Sequence, residues 1–258
     1  MTDQFDWDTG ALLDRSGPGR VLFTTRRYPI FYLQITKCGC TYVRNLLYYL
    51  DHDAMHPKAA RIHAHDEDFV KADLIPREII KGAPGLFAVI RDPVDRFLSL
   101  YFDKIANQQN QFDAGMRRRV SKAAGLDLEH DDLATHRENC LKTLAWFSRN
   151  LDTKNAGKPN PHWQRQSVRL ARIEGLGARL LTLDGLSAQL AQTLGPVVPD
   201  FARKAAAVTT RNTSKKRFTK AEIMTPEIAE TVRAIYEKDA ALYQKISAEW
   251  AVTSTKEG

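Results

Sequence analysis

Three cysteines in 258 residues, Cys38, Cys40 and Cys140, are too few and too unevenly placed for a disulfide framework. Cys38 and Cys40 stand one residue apart and are poor partners for each other. A reducing compartment is implied, and the cytoplasm is the expected location. No apolar stretch approaches the roughly 18 residues that span a bilayer. Residues 1–19 carry Asp3, Asp6, Asp8 and Asp14 where a signal peptide has a basic start and an apolar run. A soluble chain without a transmembrane segment is therefore expected. Internal repeats and long low-complexity segments are missing too. The Walker A pattern Gly-x-x-x-x-Gly-Lys-Ser/Thr occurs nowhere, which counts against an ordinary ATPase or GTPase.

What is present is ordinary in bulk. Hydrophobic residues at 43%, aromatic at 9% and charged at 27% exclude disorder throughout, collagen and a coiled-coil rod. The 38 basic and 31 acidic side chains leave a net charge of +7, which favours anionic partners: nucleotides, phosphate or sulfate esters, acidic glycans or nucleic acid. The length suits one α/β domain over residues 21–258, behind a loosely ordered leader, 1–20, that ends in Ser16-Gly-Pro-Gly19.

Two strand–loop–helix units stand out. Ile30-Phe-Tyr-Leu-Gln-Ile35 reads as a buried strand, and Val43, Leu46, Leu47 and Leu50 then recur at helical spacing. Leu86-Phe-Ala-Val-Ile90 repeats the logic. Asp92 suits a helix N-cap there, Pro93 the first helical position, and Val94, Phe97, Leu98 and Tyr101 the apolar stripe. Further along, Ala134–Arg149 reads as a helix, Arg179–Leu183 as a strand and Leu186–Leu194 as a helix. A final single helix is expected after Thr225-Pro226, with its stripe running from Ile228 to Ile246. The alternation predicts a parallel sheet flanked by helices on both faces, with a largely helical C-terminal part and ligands at the strand carboxyl ends.

Thr36-Lys-Cys-Gly-Cys-Thr41 joins the first strand to its helix. Such a loop offers unpaired amides, the positive end of a helix dipole, the Lys37 charge and the Thr41 hydroxyl, with Gly39 allowing close approach. It suits a phosphate-like anion, although a plain turn has the same composition. The second constellation is Arg91-Asp-Pro-Val-Asp-Arg96-Phe-Leu-Ser99-Leu-Tyr101. Arg91 and Ser99 can hold a second anionic group; equally, Arg91 can pair with Asp95 beside a well-capped helix.

Taken together, the two motifs resemble the nucleotide-binding signature of sulfotransferases that use 3′-phosphoadenosine 5′-phosphosulfate (PAPS). The likeness is closest to the carbohydrate branch with Golgi members, and this chain is expected to be a soluble bacterial relative. The resemblance implies a P-loop-like α/β core and no metal. It gives the 5′-phosphosulfate to Lys37, Cys38, Gly39, Cys40, Thr41 and Tyr42, and the 3′-phosphate to Arg91 and Ser99. Every fixed position of the family's Arg-Asp-Pro-x-x-Arg-x-x-Ser-x-Tyr motif is present, whereas Thr36 stands where its first loop usually has proline. Pro161-His-Trp-Gln-Arg-Gln166 is similar to a His-Trp-x-Pro-Gln element, with Arg165 replacing the proline, and makes His162 and Trp163 acceptor-site candidates. A late basic loop, by the same likeness, places Lys215 and Lys216 at the 3′-phosphate.

The acceptor hydroxyl must give up a proton, and imidazole titrates near neutrality. His63 and His65 lie where some glycan sulfotransferases carry a His-x-His element, so the resemblance implies the base there, with His65 preferred over His63 and Lys37 meeting charge on the leaving group. A solvated acidic turn with incidental histidines has the same pattern. A zinc site from His52, His56, His63 and His65 lacks a HExxH glutamate, and Pro57 interrupts the helix it needs. The acceptor is expected to be a glycan, glycolipid or small hydroxylated metabolite. No nucleic-acid motif is present. Two alternatives stay open: a P-loop-like nucleotide-dependent kinase, and a non-catalytic nucleotide-binding protein.

Overall fold

The structure, a computed structural model, describes residues 21–73, 75–109, 114–151, 160–209 and 218–255. Among these, the strands are β1 (Leu22–Thr24), β2 (Ile30–Leu33), β3 (Val70–Lys71), β4 (Gly85–Ile90) and β5 (Arg179–Thr182). The helices of eight residues or more are α1 (Cys40–His52), α2 (Pro93–Leu100), α3 (Ala114–Ala124), α4 (Leu133–Asn150), α5 (Leu186–Leu194), α6 (Pro226–Ile235) and α7 (Glu237–Thr255). The described residues fall into two compact units. The first draws on the described residues within 21–90, 169–209 and 246–255, the second on those within 91–168 and 218–245.

The first unit holds the sheet, in the order β3-β1-β2-β4-β5. β2, β4 and β5 run parallel, as expected from their continuous apolar runs; every residue of β2 and β4 is buried, which a strand covered on both faces requires. β1 pairs antiparallel with β2, and β3 antiparallel with β1, so the sheet is mixed at one edge rather than wholly parallel. Strands of three and two residues carry too little alternation to be read from sequence. The sheet is flanked by helices: α5 packs on β4 and β5, and α1 on the short helix Phe201–Ala206. The α1 stripe of Val43, Leu46, Leu47 and Leu50 is at most 1% exposed. Each such side chain contributes about 2 kcal/mol of burial.

Helices dominate the second unit. Asp92 caps α2 through Oδ1, which accepts from the amides of Val94 (2.8 Å) and Asp95 (3.1 Å), and Pro93 opens the helix. α2 runs on into a π-helical turn, Tyr101–Ile105. Its stripe, Val94, Phe97, Leu98 and Tyr101, enters one core with Leu144 and Phe147 of α4, Trp163, and Ile228 and Val232 of α6. The expected last helix is two helices, α6 and α7, because Tyr236 leaves helical geometry (φ −111°, ψ 34°). Its ring is buried there and its hydroxyl donates to the Trp163 carbonyl at 2.8 Å, a contact that local periodicity does not encode.

Candidate functional site

Parallel pairing puts the carboxyl ends of β2, β4 and β5 on one edge of the sheet, where open α/β folds bind ligands. The loop after β2 is shaped by two left-handed residues, Lys37 (φ 67°) and Gly39 (φ 74°). For lysine that conformation costs on the order of 1 kcal/mol, strain of the kind stored at binding loops. The φ of Gly39 favours glycine, and a Cβ there would lie 2.7 Å from Leu183 Cδ1, the end of a half-buried side chain after β5 that would have to shift. Gly39 is also the N-cap of α1 and has no side chain with which to cap it. The positive end of α1 thus has no side-chain cap, in a loop that also carries Lys37 and the Thr41 hydroxyl. Residues 36–41 contain no carboxylate. This donor set fits a phosphate- or sulfate-like anion. Cys38 is buried, with its thiol on the Thr36 carbonyl at 3.6 Å, and burial pushes the Cys40 thiol above its usual range, which disfavours a thiolate there.

A polar chain runs from this loop to the segment before β3. Thr41 Oγ1 lies 3.0 Å from His63 Nε2, and Cys40 Sγ lies 3.5 Å from the same nitrogen. The other ring nitrogen, His63 Nδ1, accepts from Arg44 Nη1 at 3.2 Å. Arg44 Nη1 also pairs with Asp66 Oδ1 at 2.7 Å, and Lys71 Nζ with Asp66 Oδ2 at 3.0 Å. Arg44 is 1% exposed and lies over the rings of Phe69 (4.3 Å) and Phe23 (4.8 Å). Burial lowers the Arg44 pKa, and Asp66 opposes that shift. Burial pushes the Asp66 carboxyl upward, but the Arg44 and Lys71 charges more than offset it and hold the group below the usual carboxylate range.

His65 is placed differently. Its Nδ1 lies 3.2 Å from Glu67 Oε1, and its ring is 5.3 Å from that of His56. The pair expected to supply a base is therefore split: His63 abuts the anion loop, and His65 sits on Glu67. His56 is outside the helix, because α1 ends at His52; its Nδ1 accepts from the Lys58 amide (3.0 Å) and its Nε2 donates to Asp68 (2.9 Å). Ligand atoms of His65, Glu67 and Asp68 lie within 4.8 Å of one another, yet these carboxylates are already engaged by His65 and His56.

In the second unit, the Arg91–Tyr101 motif divides into residues that build and residues that present. Arg96, 4% exposed, donates to the carbonyls of Gln164 (2.9 Å) and Pro161 (3.3 Å). The Tyr101 hydroxyl donates to His136 Nδ1 (2.8 Å), and His136 Nε2 to Asp131 (2.7 Å). Asp95 pairs with Lys220 at 2.9 Å. Gln166 clamps the Arg91 backbone from both sides: Oε1 accepts from Arg91 N (3.0 Å) and Nε2 donates to Arg91 O (2.9 Å). Asp239, 1% exposed, in turn accepts from the amides of Gln166 (2.6 Å) and Ser167 (2.9 Å). Arg91 is half-buried and Ser99 buried.

Trp163 is core: it stacks on Phe147 (5.4 Å) and meets Trp146 edge-on (5.6 Å). His162 is half-buried next to it. Lys215 and Lys216 lie outside the described residues. Sequence reading missed Arg44, Asp66 and Gln166. Gln166 was visible as the last residue of the His-Trp element, and Arg44 as a cation next to the apolar stripe of α1, but their partners lie 75 and 22 residues away.

No helix among the described residues is long and apolar enough to cross a membrane. No curated protein and no solved structure matches the chain. A family model does: that of the sulfotransferase family, over residues 20–245, which includes both anion motifs, the histidine segment and the His-Trp element. The chain therefore belongs to the sulfotransferase family.

Proposed function

We propose that the protein transfers the sulfuryl group of PAPS to a hydroxyl of a carbohydrate or carbohydrate-containing acceptor, in the cytoplasm. The observation that carries this reading is the loop after β2, a lysine and a glycine both in left-handed conformation before a helix that lacks a side-chain cap. Family membership supports sulfotransfer in general; the donor and the acceptor class are this reading's own. PAPS supplies a sulfuryl group on a phosphate leaving group.

The chain's residues have distinct tasks in this scheme. Lys37, the first-turn amides of α1 and the Thr41 hydroxyl bind the 5′-phosphosulfate and neutralise charge that grows on the leaving oxygen. Cys38, Gly39, Cys40 and Tyr42 form the rest of the cradle. Arg91 and Ser99 bind the 3′-phosphate by charge and by hydroxyl, and Lys215 and Lys216 join them. A histidine of the 63–65 pair takes the proton of the acceptor hydroxyl as its oxygen bonds to sulfur and the sulfur–oxygen bond to phosphate breaks. His162 contributes to the acceptor side, and Trp163 supports it from the core. The cations and the helix end provide the positive field, so no metal is assigned.

The test is release of adenosine 3′,5′-bisphosphate from PAPS in the presence of glycan, glycolipid and small-metabolite acceptors, with ATP and Mg²⁺ as the control. Acceptor-dependent release without ATP turnover is expected. Magnesium-dependent ATP turnover instead would make the protein a kinase, and tight nucleotide binding without any turnover would make it a sensor.

A further inference from the structure

His63 and His65 are two residues apart, yet their neighbours impose opposite proton positions on them. A guanidinium only donates, so the 3.2 Å contact from Arg44 Nη1 requires the lone pair of His63 on Nδ1. The proton of the neutral ring is then on Nε2, which donates to Thr41 Oγ1 at 3.0 Å. A carboxylate only accepts, so the 3.2 Å contact between His65 Nδ1 and Glu67 places a proton on Nδ1, and in the neutral ring the lone pair is then on Nε2.

We infer that the two histidines divide the work: Glu67 sets His65 as the proton acceptor, while Arg44, fixed by Asp66 and Lys71, sets His63 as a hydrogen-bond donor that holds Thr41. This rests on the sulfotransfer reading for what the loop binds, but not for the proton positions. The chain of donors points one way. Lys71 and Arg44 share Asp66, Arg44 donates to His63, and His63 donates to Thr41. With its oxygen occupied as acceptor, Thr41 turns its own hydrogen toward whatever anion the loop holds. His63 is therefore a positioning residue, and a doubly protonated His63 would set an N–H against the guanidinium. Around His65 the charged and titratable neighbours are Glu67, Asp66 and Asp68 on its own segment, the His56 ring, and Arg44, whose Nη2 reaches the His65 carbonyl at 3.4 Å.

Imidazole ¹⁵N shifts of the full chain near neutral pH test this without any substrate. His63 is expected as the Nε2–H tautomer, matching His56 as an internal standard, and His65 as the Nδ1–H tautomer. Glu67→Gln, at an exposed position, should move His65 toward the mixed population of free imidazole and leave His63 unchanged. His63→Gln keeps a donor near the Nε2 position, so it should hold adenosine 3′,5′-bisphosphate within about threefold of wild type, against about a tenfold loss in His63→Ala. Reversed tautomers, or His63→Gln as weak as His63→Ala, would overturn the inference, as would loss of activity to a chelator with recovery on adding Mn²⁺. Wild-type protein that shows these tautomers but no preference for a 3′-phosphate would instead sink the sulfotransfer reading alone.

Discussion

The two helices that follow anion motifs begin in opposite ways. α1 starts at Gly39, which has no side chain to cap it, whereas α2 starts at Asp92, whose carboxylate already accepts from two first-turn amides. In the proposed reading the backbone itself is the binding element at α1, and the sequence supplies permissive residues. At α2 the first turn is satisfied internally, so the proposed binding of a second anionic group is left to the Arg91 and Ser99 side chains, on a backbone that Gln166 clamps. The difference teaches that one kind of ligand can be held by a loop whose strain is stored in the main chain or by a helix whose main chain is fully satisfied. It also implies different mutational behaviour.

Removing the charge from the first site should have the largest effect. Lys37→Ala is expected to lower turnover about a thousandfold, as loss of an electrostatic group at a leaving oxygen does, with little change in Tm. A turnover measurement within tenfold of wild type would separate Lys37 from the chemistry. Gly39→Ala tests the backbone origin of that site. Left-handed φ at alanine, with a small shift of the Leu183 side chain, should cost about 1–2 kcal/mol, read as a Tm fall of roughly 2–8 °C together with weaker nucleotide binding.

The second site should respond to its clamp and not to its cap. Gln166→Ala is expected to weaken adenosine 3′,5′-bisphosphate about tenfold while 5′-AMP binding holds, measured by calorimetry. Asp92→Ala should cost about 1 kcal/mol of stability and leave the bisphosphate affinity within about twofold. The smallest effect is acidic. The Asp66 pKa is depressed in the folded chain, so its contribution is complete above the unfolded value of about 3.9 and is lost as pH falls through the lower folded value. Chemical denaturation of wild type and Asp66→Asn should converge in that window.

The same contrast explains what was legible in the sequence. Asp92, Pro93 and the stripe from Val94 to Tyr101 act through side-chain type at fixed spacing, so cap, helix and motif are all readable. The parallel strands were readable because burial on both faces leaves an uninterrupted apolar run. The loop at 36–41 was ambiguous because its character lies in φ at Lys37 and Gly39, and a turn with no ligand has the same composition. Invisible were pairings across long stretches of chain: the antiparallel edge of β1 and β3, the Arg44–Asp66–Lys71 group, the Gln166 clamp and the break at Tyr236. The division proposed for the His63–His65 pair, whose order only the family resemblance suggested, rests on the Arg44 contact, 19 residues from His63, as well as on the nearby Glu67.

The most direct test is calorimetric titration of the wild-type chain with adenosine 3′,5′-bisphosphate and with 5′-AMP, repeated on Arg91→Ala. The account predicts that wild type binds the bisphosphate about a hundredfold more tightly than the monophosphate, and that the variant binds both equally. Equal affinities in wild type, or a preference that survives in Arg91→Ala, would contradict it.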